Sequence, residues 1–151
     1  RPLVGTRVEL ADDGEILVAG PTVAPAARDR DGWLRTGDLG RLDDRGRLVV
    51  TGRKADTIVS GGENVAPQEV EAVLLAHPAV ADAGVHGRPD PEWGEAVVAT
   101  VVLRDGARAS AAELRAHVAR HLARFKVPKE IAFADALPRT TSGKLLRRQL
   151  G

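Results

Sequence analysis

A change of rhythm at "GRKAD", residues 52–56, constrains the fold of this chain more than any other feature. Before it, apolar residues come in short β-branched or alternating runs. "TRVEL" and "EILVAG" are joined by "ADDG", a turn composition that predicts a hairpin, and "RLVVTGR" follows the turn "DDRG" as a further strand. Between them "PTVAPAARDRDG" reads as a surface loop, leading into "WLRTGDLG", where a Gly-Asp pair sits between apolar residues. After the change, strand-like and helix-like stretches alternate. "DTIVSGGENV" predicts a strand, a tight Gly-Gly turn and a second strand. A helix is expected from near Pro67, because proline suits the first helical position. Glu69 and Glu71 would complement its dipole, and Val70, Val73, Leu74 and His77 recur at helical spacing. "AGVHG" and "EAVVATVVL" read as strands. "SAAE" at 110–113 is a capping box opening a second helix, with Leu114, Val118 and Leu122 on one face. "KEIAFA" gives one more strand, and a short basic helix should follow the loop that carries Lys144.

The two rhythms predict an α+β chain, a β-rich segment followed by a small module in which strands and helices alternate beyond about residue 56. Hydrophobic residues make up 43% of the 151, enough for a packed core, and a net charge of +1 supplies no overall field for nucleic acid or a membrane surface. Any affinity for anions has to come from local clusters. Cysteine is absent, which excludes disulfides and thiolate metal sites and permits a reducing, cytoplasmic setting. No apolar run reaches the length of a spanning helix, and no signal sequence opens the chain. Methionine is absent too, and Arg1 leads straight into what reads as strand, so the expectation is a piece of a longer polypeptide.

Each chemically suggestive motif has an ordinary alternative. "SGK" at 142–144 invites a phosphate-loop reading, but the positions that need glycine and a hydroxyl hold Pro138 and Leu145, and that reading fails. Lys144 is then either a solvated lysine or a long cation directed at something anionic. His117 and His121 stand four apart on one helix without a third ligand, so no metal site is expected. Asp38 in "TGD" is a turn residue or an acceptor for paired hydroxyls, since an ionised carboxylate can take two donors. The glycines of "SGGEN" make a plain turn or let the backbone approach a thin ligand. Trp93 is core or a stacking surface for a base. Lys126 and Lys129, beside Phe125, are solvated or phosphate contacts.

The order of these motifs is more telling than any one of them. "GWLRTGDLG", then "GRKADTIVSGGENVAPQEVE", then "PRTTSGKLLRR" resembles the adenylate-forming family of acyl- and aryl-CoA synthetases, over most of residues 33–148. The resemblance is to the last part of such enzymes. It implies that residues 1–52 end the N-terminal adenylation domain's β subdomain, 53–55 form a hinge, and 56–151 form a small mobile C-terminal lid. It further implies that Asp38 and Arg53 hold the ATP/AMP ribose and that Lys144 is the catalytic lysine of adenylation. Ala55 stands at the hinge position, where family members usually carry Asp or Lys.

The "SGGENV" turn is similar to CoA ligases. It implies Gly61 and Gly62 along the pantetheine path, Trp93 and Phe125 flanking the CoA adenine, and Lys126 and Lys129 near its phosphates. The short loop and this turn together are similar to aryl-type ligases such as o-succinylbenzoate–CoA ligase. The implied function is part of an ATP-dependent acid–CoA ligase, with ATP, CoA, a small carboxylic acid and the N-terminal domain of the same enzyme as partners. Mg²⁺ would be held by residues upstream of this chain, and the isolated fragment would be inactive. The resemblance also implies a lysine acetyltransferase acting on Lys144. The alternatives are an adenylation domain serving a carrier protein, or a non-enzymatic interaction module on the same fold.

Overall fold

In the computed structural model, which describes residues 4–150, the first rhythm becomes four antiparallel strands. They are β1 (Arg7–Leu10), β2 (Glu15–Ala19), β3 (Leu34–Leu42) and β4 (Leu48–Arg53), ordered β1-β2-β3-β4. Short polar turns set the pairing. Asp43 closes the β3–β4 turn by accepting from the amides of Arg45 (2.9 Å) and Arg47 (2.8 Å), while Gly46 takes φ +68°. β3 runs straight through "WLRTGDLG", which carries no clean alternation because the strand is broken by a bulge at Thr36–Gly37–Asp38.

The chain divides into two compact units, Arg1–Ala55 and Asp56–Gly151. The second is α+β, as the alternation predicts. β5 (Ile58–Ser60) and β6 (Glu63–Val65) form a hairpin, and α1 (Pro67–Leu75) follows with Pro67 in its first turn. β7 (Val80–Asp90) and β8 (Gly94–Leu103) form a long hairpin, then come α2 (Ala111–His121) and β9 (Glu130–Phe133). The sheet is ordered β6-β5-β8-β7, and β9 pairs with β8 in parallel. Val70 and Leu74 from α1, Leu114 and Val118 from α2, and Val85, Val97 and Val101 from the sheet are all 0% exposed and form one core. Val70, Leu74, Leu114 and Val118 belong to the helical stripes read from the sequence; Val73 and Leu122, the latter just past α2, are partly buried against the same core. α2 begins with the expected capping box: Ser110 accepts from the Glu113 amide, and Glu113 accepts from the Ser110 amide at 2.7 Å.

Four expectations need correction. "AGVHG" is only the middle of an eleven-residue strand, because β7 stays paired to β8 out to Asp90↔Gly94 and the hairpin holds its polar end in the ladder. α1 stops at Leu75, ahead of Pro78, so His77 lies beyond the helix. Glu71 is not a dipole partner in the first turn. It accepts from the Val85 amide (2.9 Å) and from Arg147, tying α1 to β7. The basic tail forms a single 3₁₀ turn, Arg147–Gln149, and not a longer helix: Arg147 is held by Asp56 and Glu71 and Leu150 packs on Gly84 of β7, while Arg148 and Gln149 stay exposed.

Substitutions should separate core from cap. Leu114→Ala should cost about 2–5 kcal/mol of stability, as a fully buried leucine, and Ser110→Ala about 1 kcal/mol. Denaturant midpoints measure both. Equal losses would contradict the described core.

Candidate functional site

The bulge in β3 is built by its own three residues. Between the pairs Glu15↔Leu39 and Leu17↔Arg35, residues 36–38 lie opposite Ile16 alone. The Thr36 hydroxyl donates to the Ile16 carbonyl (2.7 Å) and accepts from the Asp38 amide (3.1 Å). Gly37 takes φ +71°, a left-handed conformation that glycine adopts without strain. Its amide donates to Glu15 at 3.1 Å. Glu15 is 4% exposed and is met by Lys54 (3.2 Å) and Arg35 (3.4 Å). The Gly37 amide, with Lys54 and Arg35, holds the Glu15 carboxyl below the usual carboxylate range in spite of its burial.

The bulge leaves Asp38 opposite Arg53 on β4, and their side chains pair at 2.7 Å. An acceptor-only carboxylate and a five-donor guanidinium thus sit side by side, both partly accessible, which suits a vicinal diol. The sequence named Asp38 and Arg53 but not Glu15. Its signal, a glutamate opening an apolar strand, has meaning only once the β2–β3 register is known.

In the second unit, Gly61 and Gly62 turn the β5–β6 hairpin at φ +61° and +83°. Gly61 donates its amide to the Trp93 carbonyl at 2.9 Å, and a Cβ at Gly61 would lie 2.7 Å from the indole. Trp93 therefore lies against bare backbone. Lys129 Nζ stands 3.9 Å from the Trp93 ring, within cation–π range. This brings Gly61, Trp93 and Lys129 together, with the Gly61 backbone against the indole and an exposed cation lying over the ring. Phe125 and Lys126 are engaged elsewhere: Phe125 packs against the core, and Lys126 pairs with Glu69 at 2.6 Å.

Lys144 occupies a tight turn. The Thr140 amide donates to the Lys144 carbonyl (2.8 Å), the Gly143 amide to the Thr140 carbonyl (2.8 Å), and Gly143 takes φ +83°. The Thr140 hydroxyl accepts from the Lys144 amide (3.0 Å) and lies 2.9 Å from the Ser142 hydroxyl. The small hydroxyl residues therefore stiffen the turn that carries Lys144. Arg139, also unforeseen, pairs with Asp82 (2.7 Å) and donates to the Gly143 carbonyl (2.9 Å). Among the described residues the Lys144 ammonium has no partner, and it is exposed. Ala55 is exposed in the 3₁₀ turn Lys54–Asp56, the last residue of the first unit.

His117 is half-buried between the helices, while His121 is exposed with its Nδ1 2.9 Å from the His117 carbonyl. His117 Nε2 lies 3.0 Å from the Val73 carbonyl, and burial holds its imidazole below the ordinary pKa. No cluster of three or more His, Asp or Glu able to hold a metal exists among the described residues. None of their helices is long and apolar enough to cross a membrane.

The family of AMP-binding enzyme C-terminal domains matches residues 69–144. The chain is 47% identical to the sulfoacetate–CoA ligase of Cupriavidus necator, over 94% of this chain and 29% of that protein. It is 50% identical to a 2-succinylbenzoate–CoA ligase of Geobacillus kaustophilus, over 91% of this chain and 30% of that protein. The o-succinylbenzoate–CoA synthetase of Bacillus subtilis, solved with an acyl-adenylate intermediate, superimposes with a TM-score of 0.88 at 43% identity. That superposition covers 99% of this chain and 34% of the synthetase. The chain thus spans about a third of the length of the proteins it matches. One expectation is overturned by these similarities. They are to CoA ligases and bring no lysine acetyltransferase with them.

The Gly61–Trp93 contact yields a differential test. Gly61→Ala should cost about 1–2 kcal/mol for a left-handed residue and also displace the indole, red-shifting Trp93 emission in a Trp33→Phe background. Gly62→Ala, with open space at its Cβ, should pay the strain without the shift. Identical emission from the two variants would contradict the contact.

Proposed function

We propose a function from one premise: the chain belongs to the family of AMP-binding enzyme C-terminal domains. It is the C-terminal part of an ATP-dependent acid–CoA ligase. Residues 1–52 end the adenylation domain's β subdomain, 53–55 with Ala55 form the hinge, and 56–151 form the lid. The observation that carries the reading is Lys144. Arg139 and Arg147, on either side of it, are each committed to a carboxylate, while the ammonium between them is exposed and unengaged among the described residues. A turn braced in this way presents a cation outward.

In the first half-reaction the acid's carboxylate attacks the α-phosphate of ATP and pyrophosphate leaves. Two anions must approach each other, and an ammonium between them offsets their repulsion and the charge that builds in the transition state. Asp38 accepts from the ribose hydroxyls, with Arg53 beside it fixing the carboxylate. In the second half-reaction the CoA thiolate attacks the acyl carbonyl and AMP leaves. Once Lys129 swings off the indole, Trp93 offers a stacking face and Lys129 a phosphate contact, and the Gly61–Gly62 turn lets the pantetheine arm pass close to the backbone. Phe125 and Lys126 would join them only after leaving the core edge and Glu69.

Mg²⁺, when bound, would neutralise phosphate charge. By the same family reading its holders lie in the adenylation domain ahead of this chain, and this fragment alone makes no acyl-adenylate. A cytoplasmic setting suits a chain without cysteine. As substrates, 2-succinylbenzoate and sulfoacetate are the acids to try first, from the names of similar proteins.

The test is single-turnover kinetics of each half-reaction in the full polypeptide. Lys144→Ala should slow adenylation by roughly 10²-fold or more, as for loss of one preorganised donor. Thioester formation from preformed acyl-adenylate should change by less than about tenfold, since no interaction specific to that step is removed. Equal loss in both steps would overturn the assignment.

A further inference from the structure

Three contacts hold the Lys144 turn, and they differ in what they can fix. Leu137, Leu145 and Leu150 converge on Gly84 of β7, where a Cβ would meet their methyl groups at 3.4, 3.1 and 2.8 Å. That contact secures the segment to the sheet, but apolar packing of this kind has little directional preference. Arg139 pairs with Asp82 at 2.7 Å, with the two side chains 39% and 29% exposed, so water screens the pair. The third contact is Arg147, three residues beyond Lys144.

The Arg147 side chain is 16% exposed and its partner Glu71 12%. Its Nη2 donates to both Glu71 oxygens, at 2.9 and 2.8 Å, and its Nη1 to Asp56 at 3.2 Å. The same Glu71 Oε1 accepts the Val85 amide at 2.9 Å. A planar guanidinium that bonds through two different nitrogens has a fixed orientation. Here it is referred to the backbone of β7 on one side and to Asp56, the first residue of its unit, on the other.

We propose that Arg147 is a positioning residue for Lys144. Through Glu71 and Asp56 it sets the entry of the chain beyond the turn and so the place to which the ammonium is delivered during adenylation. This rests on the reading of Lys144 given above. Arg147 itself touches no reactant. Its loss leaves Glu71 and Asp56 without their cation and frees the turn to shift by a distance that matters at a reacting centre.

A double-mutant cycle on the full polypeptide tests this, with adenylation and thioester formation read separately and thermal unfolding followed in parallel. Arg147→Gln should slow adenylation by roughly ten- to a hundredfold, the scale of a slight misplacement, and leave the thioester step within about threefold, since that step does not use the lysine. In a Lys144→Ala background it should produce no further loss of adenylation, because the only route of its effect is gone. Arg147→Lys, which keeps the charge without the fork, should recover only part of the rate. If Arg147→Gln does not fold, Glu71→Gln replaces it, since the amide oxygen can still accept from Val85. Equal slowing with and without Lys144, or no slowing while Lys144→Ala is slow, would overturn the proposal. A Lys144→Ala variant with normal adenylation would instead overturn the functional reading beneath it.

Discussion

A carboxylate taken out of water must be given donors, and this chain uses that requirement twice to place side chains of the proposed site. In the first unit, buried Glu15 grips the Gly37 amide and is balanced by Lys54 and Arg35, so the bulge that aims Asp38 at Arg53 cannot relax into regular strand. In the second, Glu71 grips the Val85 amide and is balanced by Arg147, which anchors the segment beyond Lys144. Each glutamate bonds a backbone donor and a cation. Each stands one step behind a residue proposed to meet the substrate.

This arrangement explains what could be read along the chain and what could not. Hairpins over "ADDG", "DDRG" and the Gly-Gly turn, and both helices with their buried faces, rest on local chemistry within a few residues, and all are present. So is the order of motifs that carries the family resemblance. Glu15 stood out in no motif and Glu71 read as a dipole partner of its own helix, because their partners lie 22 and 14 residues away and meet them only through strand pairing and helix–sheet packing. Nor was the bracing at 140–144 legible: the hydrogen bonds of Thr140, Ser142 and Gly143 to one another and to Lys144 that close the turn have no signature in composition. For Arg147, a basic run at the end of a chain resembles a solvated helix until Asp56 and Glu71 are seen around it.

The four lysines of the chain fall into two kinds. Lys54 and Lys126 are held by carboxylates, at Glu15 and Glu69 respectively. Lys129 and Lys144 pair with no carboxylate among the described residues, one lying over the Trp93 ring and the other exposed at the tip of a braced turn. In the proposed ligase the two exposed cations serve different anions in different half-reactions, CoA phosphate for Lys129 and the carboxylate–phosphate pair for Lys144.

Competitive lysine labelling of the full polypeptide, read by mass spectrometry, addresses that division directly, with Lys54 and Lys126 as internal references. ATP together with a carboxylic acid substrate should shield Lys144 from an amine-reactive reagent and leave Lys129 reactive. CoA added to the enzyme loaded with a stable acyl-adenylate analogue should shield Lys129 and restore the reactivity of Lys144. Shielding of both lysines by the same ligand, or of neither by any, would contradict the account.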